Sequence, residues 1–279
     1  MKQLFDTVSS NCSKLVTKSY STSFSLAVKM LSPKIRMDIY NVYGFVRFAD
    51  EIVDSFHDYD KEKLILKFEA DYYEALETGV SLNPILNSFQ QTVTKYQISD
   101  DLVQAFLKSM KADLYKTEYK TKEEYDAYIY GSADVVGLMC LRVFVNNDDK
   151  KFEALKESAT RLGSAFQKVN FLRDIKEDTE NLGRSYFPNL DSNSLNNANK
   201  EEIIKDIEKD FQEAYKGIIQ LPLESRLGVY IAYRYYLKLL KKLKKAAPEK
   251  ILSGRIRVSN PLKLVILTKS YIRYKLNAY

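Results

Sequence analysis

Apolar residues recur at helical spacing along most of this chain, and the breaks between the periodic runs carry helix start signals. Ser32-Pro33 reads as an N-cap followed by a first helical residue, and the periodicity behind it predicts a helix to about residue 55. Asn83-Pro84 and Asn260-Pro261 repeat that signal. Helical spacing also fits 61–77, 100–118, 122–145, 152–180, 201–219, 223–247 and 262–277. Pro188 and the polar run 189–200 read as a loop, the one clear interruption. No stretch alternates strictly between polar and apolar residues, so no sheet is expected. The pattern predicts an all-α fold, a single domain over 1–279 with its helices around a shared centre.

Composition agrees. Nine Gly and six Pro in 279 residues are few breaks for so long a chain, which favours long helices. Trp is absent, but 21 Tyr and 14 Phe are enough either to fill a core or to line an apolar cavity. Cys12 and Cys140 have neither zinc-site nor disulfide spacing, so a reducing, cytoplasmic setting is expected. His57 is the only histidine and reads as a loop residue. No signal-peptide pattern opens the chain, and no apolar run approaches the ~18–20 residues of a membrane span, so a soluble or peripheral protein is expected.

Charge is uneven. Between 231 and 279 thirteen Lys/Arg stand against the single Glu249. Lys238, Lys241, Lys242, Lys244 and Lys245 interleave with Leu239, Leu240 and Leu243. This basic amphipathic region, 238–257, reads as a contact for an anionic membrane surface, as an RNA contact or as a solvated helix face.

Two acidic clusters carry the chemistry. Asp50 and Asp54 lie four apart, as do Asp174 and Asp178. That spacing puts each pair on one helix face, where like charges repel. Two such faces turned toward each other make a cage of hard oxygen ligands suited to Mg²⁺. The first pair follows Tyr43 and Arg47 and lies among apolar residues, so its charges need partners or metal. The second extends back along a stripe through Asn170 and Gln167, with Arg173 alongside and Arg184 and Tyr186 after Gly183. Acids for metal, amides for orientation and arginines for phosphate form a coherent set; a solvated helix end is the plain alternative.

Two further segments fit either of two roles. The run 128–137 holds Gly131 and Gly137 in an apolar helix, which permits close helix packing or a cavity for a chain-like ligand. The hydroxyl row 21–25 caps a helix or binds phosphate.

These motifs, in this order, resemble the squalene/phytoene synthase family of head-to-head prenyl synthases. Ser21-Thr22-Ser23-Phe24 looks like its N-terminal flap motif, and Arg47 with 50–54 like its first aspartate-rich motif. The segment 128–137 looks like its cavity motif; Gln167, Asn170, Arg173, Asp174 and Asp178, then 184–187, look like its second aspartate-rich motif. The match covers 19–187 and continues more faintly to the C-terminus.

The resemblance implies an isoprenoid synthase fold and a phytoene synthase. Such an enzyme joins two geranylgeranyl diphosphates through a cyclopropyl diphosphate intermediate, as a step of carotenoid biosynthesis. Squalene and dehydrosqualene synthases, which take farnesyl diphosphate, and a non-catalytic helical partner protein are the alternatives. The implied metal ligands are Asp50, Glu51, Asp54, Asn170, Asp174 and Asp178, holding Mg²⁺ or Mn²⁺ in its place. The implied substrate contacts are Ser21, Phe24, Tyr43, Arg47, Tyr130, Val135, Gly137, Gln167, Asn170, Arg173, Arg184 and Tyr186. Phe45 and Val136 are expected in the same cavity wall. NADPH is not expected, nor is nucleic acid; a greasy substrate and product favour membrane contact for 238–257. Glu51, Ser132 and Asp134 depart from the family pattern, and Asp134 adds a carboxylate beside the cavity motif.

Overall fold

The computed structural model describes residues 1–188 and 195–276. Its helices are α1 (Lys2–Tyr20), α2 (Thr22–Val28), α3 (Pro33–Ser55), α4 (Lys61–Thr78), α5 (Pro84–Tyr96), α6 (Asp100–Ala112) and α7 (Lys122–Ile129). After a π-helical turn at Tyr130–Asp134 come α8 (Val135–Val145), α9 (Asp149–Leu182), α10 (Asn197–Ile218), α11 (Leu223–Lys245), α12 (Pro248–Ser253) and α13 (Asn260–Lys275). Among the described residues the single β-type pairing is an isolated bridge, Glu118 to Ser185.

The starts follow the local chemistry. Ser32 caps α3 ahead of Pro33, Asp60 caps α4 through Lys63 N, Asn83 caps α5, and Asp148 caps α9. The end of α9 is a backbone requirement. Gly183 takes φ 63, which the chain needs to reverse directly after the second acidic cluster. Arg184 N then bonds back to Asp178 O at 2.9 Å, which returns the Arg184 side chain to the acids.

The core gathers around α3. Phe45 is fully buried, with its ring stacked on Phe89 at 3.9 Å and near Phe68, Tyr72 and Phe106. On its other side α3 faces α8, α9, α10 and α11, and a cavity lies between them. Helix α9, 34 residues and roughly 50 Å long, forms the longest wall of that cavity.

Several expectations are corrected. Helix α1 has no apolar stripe facing inward; its buried residues are Ser9, Ser13 and Thr17. Ser13 shares a hydrogen bond with Ser88 at 2.8 Å, and Asn87 donates to Ser9 at 3.2 Å. A Cβ on Gly44 would lie 2.8 Å from Ser13 Oγ, so α1 and α3 touch at a glycine. The hydroxyl row does cap a helix, Ser21 serving α2 at Thr22–Val28, whereas α6 stops at Ala112 instead of running to 118. The run 122–145 is divided by the π-helical turn. Helix α10 begins at Asn197 with a capping box, inside the expected loop, whose residues 189–194 lie outside the described ones, as does 277.

Two readings about membranes also change. Lys122–Val145 spans 24 residues and is long and apolar enough to cross a bilayer by composition, contrary to the sequence reading. About half of that run is buried, Leu138 and Met139 in the core, while Val136 and Cys140 line the cavity. Leu239, Leu240 and Leu243 are buried too, so the leucines of the basic region face the protein interior and leave the lysines outside.

Phe45 therefore belongs to the core and not to the cavity wall. Phe45→Ala is expected to lower stability by about 3–5 kcal/mol. Urea denaturation should show a lower midpoint with little change in slope.

Candidate active site

Tyr43, Arg47, Asp50 and Asp54 follow one stripe of α3. The Arg47 guanidinium grips both Asp50 and Glu51 and lies 4.3 Å from the Tyr20 ring centre. Asp54 is held from the opposite side, where Arg184 Nη1 donates to Oδ1 at 2.7 Å. Arg184 is buried and also donates to the Asp113 carbonyl at 2.9 Å. Burial alone would lower its affinity for a proton, but Asp113, Tyr186 and Asp54 outweigh that, so it stays charged.

Helix α9 supplies the facing set. Gln167 Nε2 donates to Ser132 Oγ at 3.4 Å, and Tyr236 Oη donates to Asn170 Oδ1 at 3.3 Å. Arg173 clasps Asp174 with two nitrogens, Nε at 2.7 Å from Oδ1. Arg255, between α12 and α13, reaches Asp174 and Glu177, each at 3.1 Å.

Asp178 shows what the facing costs. Burial, then the charges of Asp174 and Asp54, push its carboxyl up to about 8. Burial, then Asp54, push Asp50 up to about 7. Arg184 joins the two clusters, its backbone N–H donating to the Asp178 carbonyl at 2.9 Å and its Nη1 to Asp54 Oδ1 at 2.7 Å, so Asp178 on α9 stands near Asp54 on α3. Among the described residues no three acidic, His or Cys groups converge as closed metal ligands. The set is instead held apart by arginines, all hard oxygen and deficient in positive charge, which fits a hard divalent cation.

The cavity begins one turn below the acids of α3, at Val46 and Tyr43, and two turns below those of α9, at Gln167. It has about 280 Å³ open to the centre of a water molecule, and its lining is almost wholly apolar down to Leu155, Gly217 and Leu221. Phe24 stacks on Tyr43 at 4.9 Å near the entrance. Burial pushes the Tyr43 hydroxyl up to about 12, so it remains a neutral donor. Cys140 lines the wall, and burial likewise pushes its thiol up to about 12.

A family model described as Squalene/phytoene synthase matches residues 17–261. The chain belongs to the squalene/phytoene synthase family. It is 27% identical over 277 residues to phytoene synthase 2, chloroplastic, of Oryza sativa subsp. japonica, covering 92% of this chain and 69% of the relative. It is 29% identical over 193 residues to 4,4'-diapophytoene synthase of Staphylococcus haemolyticus, covering 68% of this chain and 66% of the relative. A solved dehydrosqualene synthase superposes with a TM-score of 0.82 at 21% identity, covering 98% of each chain. Members of this family are prenyltransferases that bind prenyl diphosphates, and the chain is one of them.

The structure gathers most of the residues singled out in the sequence. Phe24, Tyr43, Gly137 and Gln167 line the cavity, as does Val136. Ser21 caps α2, accepting from Phe24 N at 3.2 Å, beside the Tyr43 hydroxyl. Arg47, Asn170, Arg173 and Arg184 stand among the acids. Glu51 turns sideways to Arg47. Tyr186 stacks on Phe171 at 3.9 Å with its hydroxyl 3.4 Å from Arg184, so it backs that arginine from beneath.

Two residues fall elsewhere. Tyr130 is exposed in an outer cleft, and Val135 is fully buried in the core. Val135 and Gly137 stand two residues apart, about 200° round an α-helix, so they cannot share a face, while the extra residue of the π-helical turn offsets Tyr130 from the residues after it. Ser132, Ala133, Val136 and Gly137 face the cavity, continued at helical spacing by Cys140 and Leu141. Asp134 sits behind that wall, accepting from Ser164 at 2.8 Å, and burial pushes its carboxyl up to about 7.

The sequence reading missed Tyr20, Asp113, Tyr236 and Arg255. None lies in an acidic motif; they arrive through helix packing, and only the excess of basic residues after 231 hinted at Arg255.

Because the Asp50 and Asp178 carboxyls stand above the ordinary 3.8, the folded protein holds their protons more tightly than the unfolded chain does. Their contribution to stability is full below that value and is lost as pH rises through about 7 to 8. Thermal melts without divalent metal should therefore show Tm falling between pH 5 and pH 8. Adding Mg²⁺ should raise Tm more at pH 8 than at pH 5. Asp178→Asn should flatten the metal-free fall and shrink the Mg²⁺ effect.

Proposed function

We propose that the chain is a phytoene synthase, joining two geranylgeranyl diphosphates head to head with loss of both diphosphates. The observation that carries this reading is an apolar cavity leading directly away from two opposed acidic helices. The resemblance to the rice phytoene synthase over 92% of the chain supports the substrate. Along α9 the cavity wall runs ~18 Å from Gln167 down to Leu155, with Asp174 a further ~10 Å above it at the α-helical rise, so a prenyl chain can lie in the cavity with its diphosphate among the acids.

Asp50, Asp54, Asp174 and Asp178 fit Mg²⁺ by donor chemistry, with Asn170 beside them and Mn²⁺ as a substitute. Bound there, the metal would act as a Lewis acid on the departing diphosphate. Arg47, Arg173 and Arg184 orient the diphosphates and offset their charge. Ser21 and the neutral Tyr43 hydroxyl stand at the entrance to donate hydrogen bonds to the same group. The cavity below excludes water from allylic cations and from the cyclopropyl intermediate. Phe24, Tyr43 and Phe166 present ring faces that tolerate the positive charge there. Proton loss ends the reaction, so no NADPH is required.

A second reading keeps the same chemistry with two farnesyl diphosphates. The specific observation favouring it is the 29% identity to the staphylococcal 4,4'-diapophytoene synthase.

The test is to incubate purified protein and Mg²⁺ with geranylgeranyl or farnesyl diphosphate, with and without NADPH, and to identify the hydrocarbon by mass spectrometry. A forty-carbon triene formed without reductant is the expected product; a thirty-carbon product moves the assignment to the second reading. No hydrocarbon from folded protein with either substrate overturns both. Asp50→Asn and Asp174→Asn should each lower turnover by at least about a hundredfold while leaving the fold intact by circular dichroism.

A further inference from the structure

Helix α13 is apolar on two opposite sides. Its inner side sets Ile266, Leu267 and Tyr274 against Ala27, Leu227, Ile231 and Tyr235 of α2 and α11. Its outer side carries Leu264 (64% exposed), Val265 (46%), Tyr271 (44%), Ile272 (51%) and Leu276 (71%). At 3.6 residues per turn these five fall within one arc of roughly 140°. A helix covered by its own protein on one side should be polar on the other, so an apolar outer arc points to a partner.

The charges around the arc say what kind. Lys269 and Arg273 border it and Lys275 rises within it, all exposed, and α13 bears no acidic residue. A partner must be apolar and anionic at once. A second copy of this chain brought up by two-fold symmetry would set the same cations against each other. The surface of an anionic bilayer meets both demands.

Position adds to the argument. Lys263 Nζ donates to Thr22 Oγ1 at 2.7 Å, tying the first turn of α13 to the start of α2. Ala27 of α2 packs in the cluster under α13 and also lines the cavity. The seven-residue α2 thus lies between α13 and the cavity, and a surface docked on α13 would sit beside the cavity entrance.

We propose that the outer face of α13 docks on anionic lipid bilayers, with the helix lying in the interface. Its apolar arc enters the acyl boundary, and Lys269 and Arg273 meet headgroup phosphates. This site takes the place of the 238–245 leucines, which the core has already claimed.

The test is co-sedimentation of the full chain with vesicles of phosphatidylcholine, with and without phosphatidylglycerol. Binding to the anionic vesicles, weakened by salt, is expected. Leu264→Ser/Ile272→Ser and Lys269→Glu/Arg273→Glu should each lower the partition coefficient at least about tenfold. Both should keep the wild-type melting temperature and, with detergent-dispersed substrate, wild-type turnover. Neutralising Lys241, Lys244 and Lys245 should matter less. Failure of the wild type to bind, or binding indifferent to both α13 variants, overturns the proposal. So does a dimer in solution that Leu264→Ser/Ile272→Ser dissolves, which would make the face a self-association surface. Lipid binding is read without substrate, so it stands or falls independently of which hydrocarbon the protein makes.

Discussion

Negative charge is confined between two helices that are each packed firmly against other parts of the fold. Helix α3 is anchored in the aromatic core by Phe45, and α9 is pinned along its length by α8 and α10. The cost appears at Asp178 and Asp50, whose carboxyls hold their protons more tightly than free ones. The arginines answer this repulsion. Arg47 grips one cluster, Arg173 and Arg255 the other, and Arg184 ties Asp54 to the carbonyl of Asp113. The same cations are chemically suited to a diphosphate.

Below that charged layer the demand reverses. The walls are alkyl and aromatic, and where helices must come close around the space they do so with small residues. A Cβ on Gly163 would fall 2.9 Å from Asp134 Cα, and one on Gly217 would fall 2.4 Å from Ser158 Cβ. Under the proposed function, charge above and hydrocarbon below would divide the work between leaving group and prenyl chain.

Much of this was legible in the sequence because it depends on spacing within one helix. Asp50 with Asp54 and Asp174 with Asp178 needed only the helical period, and Ser32-Pro33 placed the start of α3. Contacts between helices were not legible. Helix α1 escaped notice because its buried face is Ser9, Ser13 and Thr17, side chains that register as polar although they pack by hydrogen bonding. Leu239, Leu240 and Leu243 looked like one half of a membrane face, because a sequence cannot say which side of a helix its neighbours cover. Arg255 sits outside every motif and reaches Asp174 only through the turn after α12.

The π-helical turn at Tyr130–Asp134 has a consequence beyond the residues it exposes. A continuous α-helix fixes the angular phase of its far end once its near end is docked. One wider turn breaks that lock, so α7 can settle its Tyr125 and Tyr128 against Phe171 while α8 is clocked separately to the hollow beside it. The segment works like a coupling between two shafts, offsetting α8 from α7 in rotation.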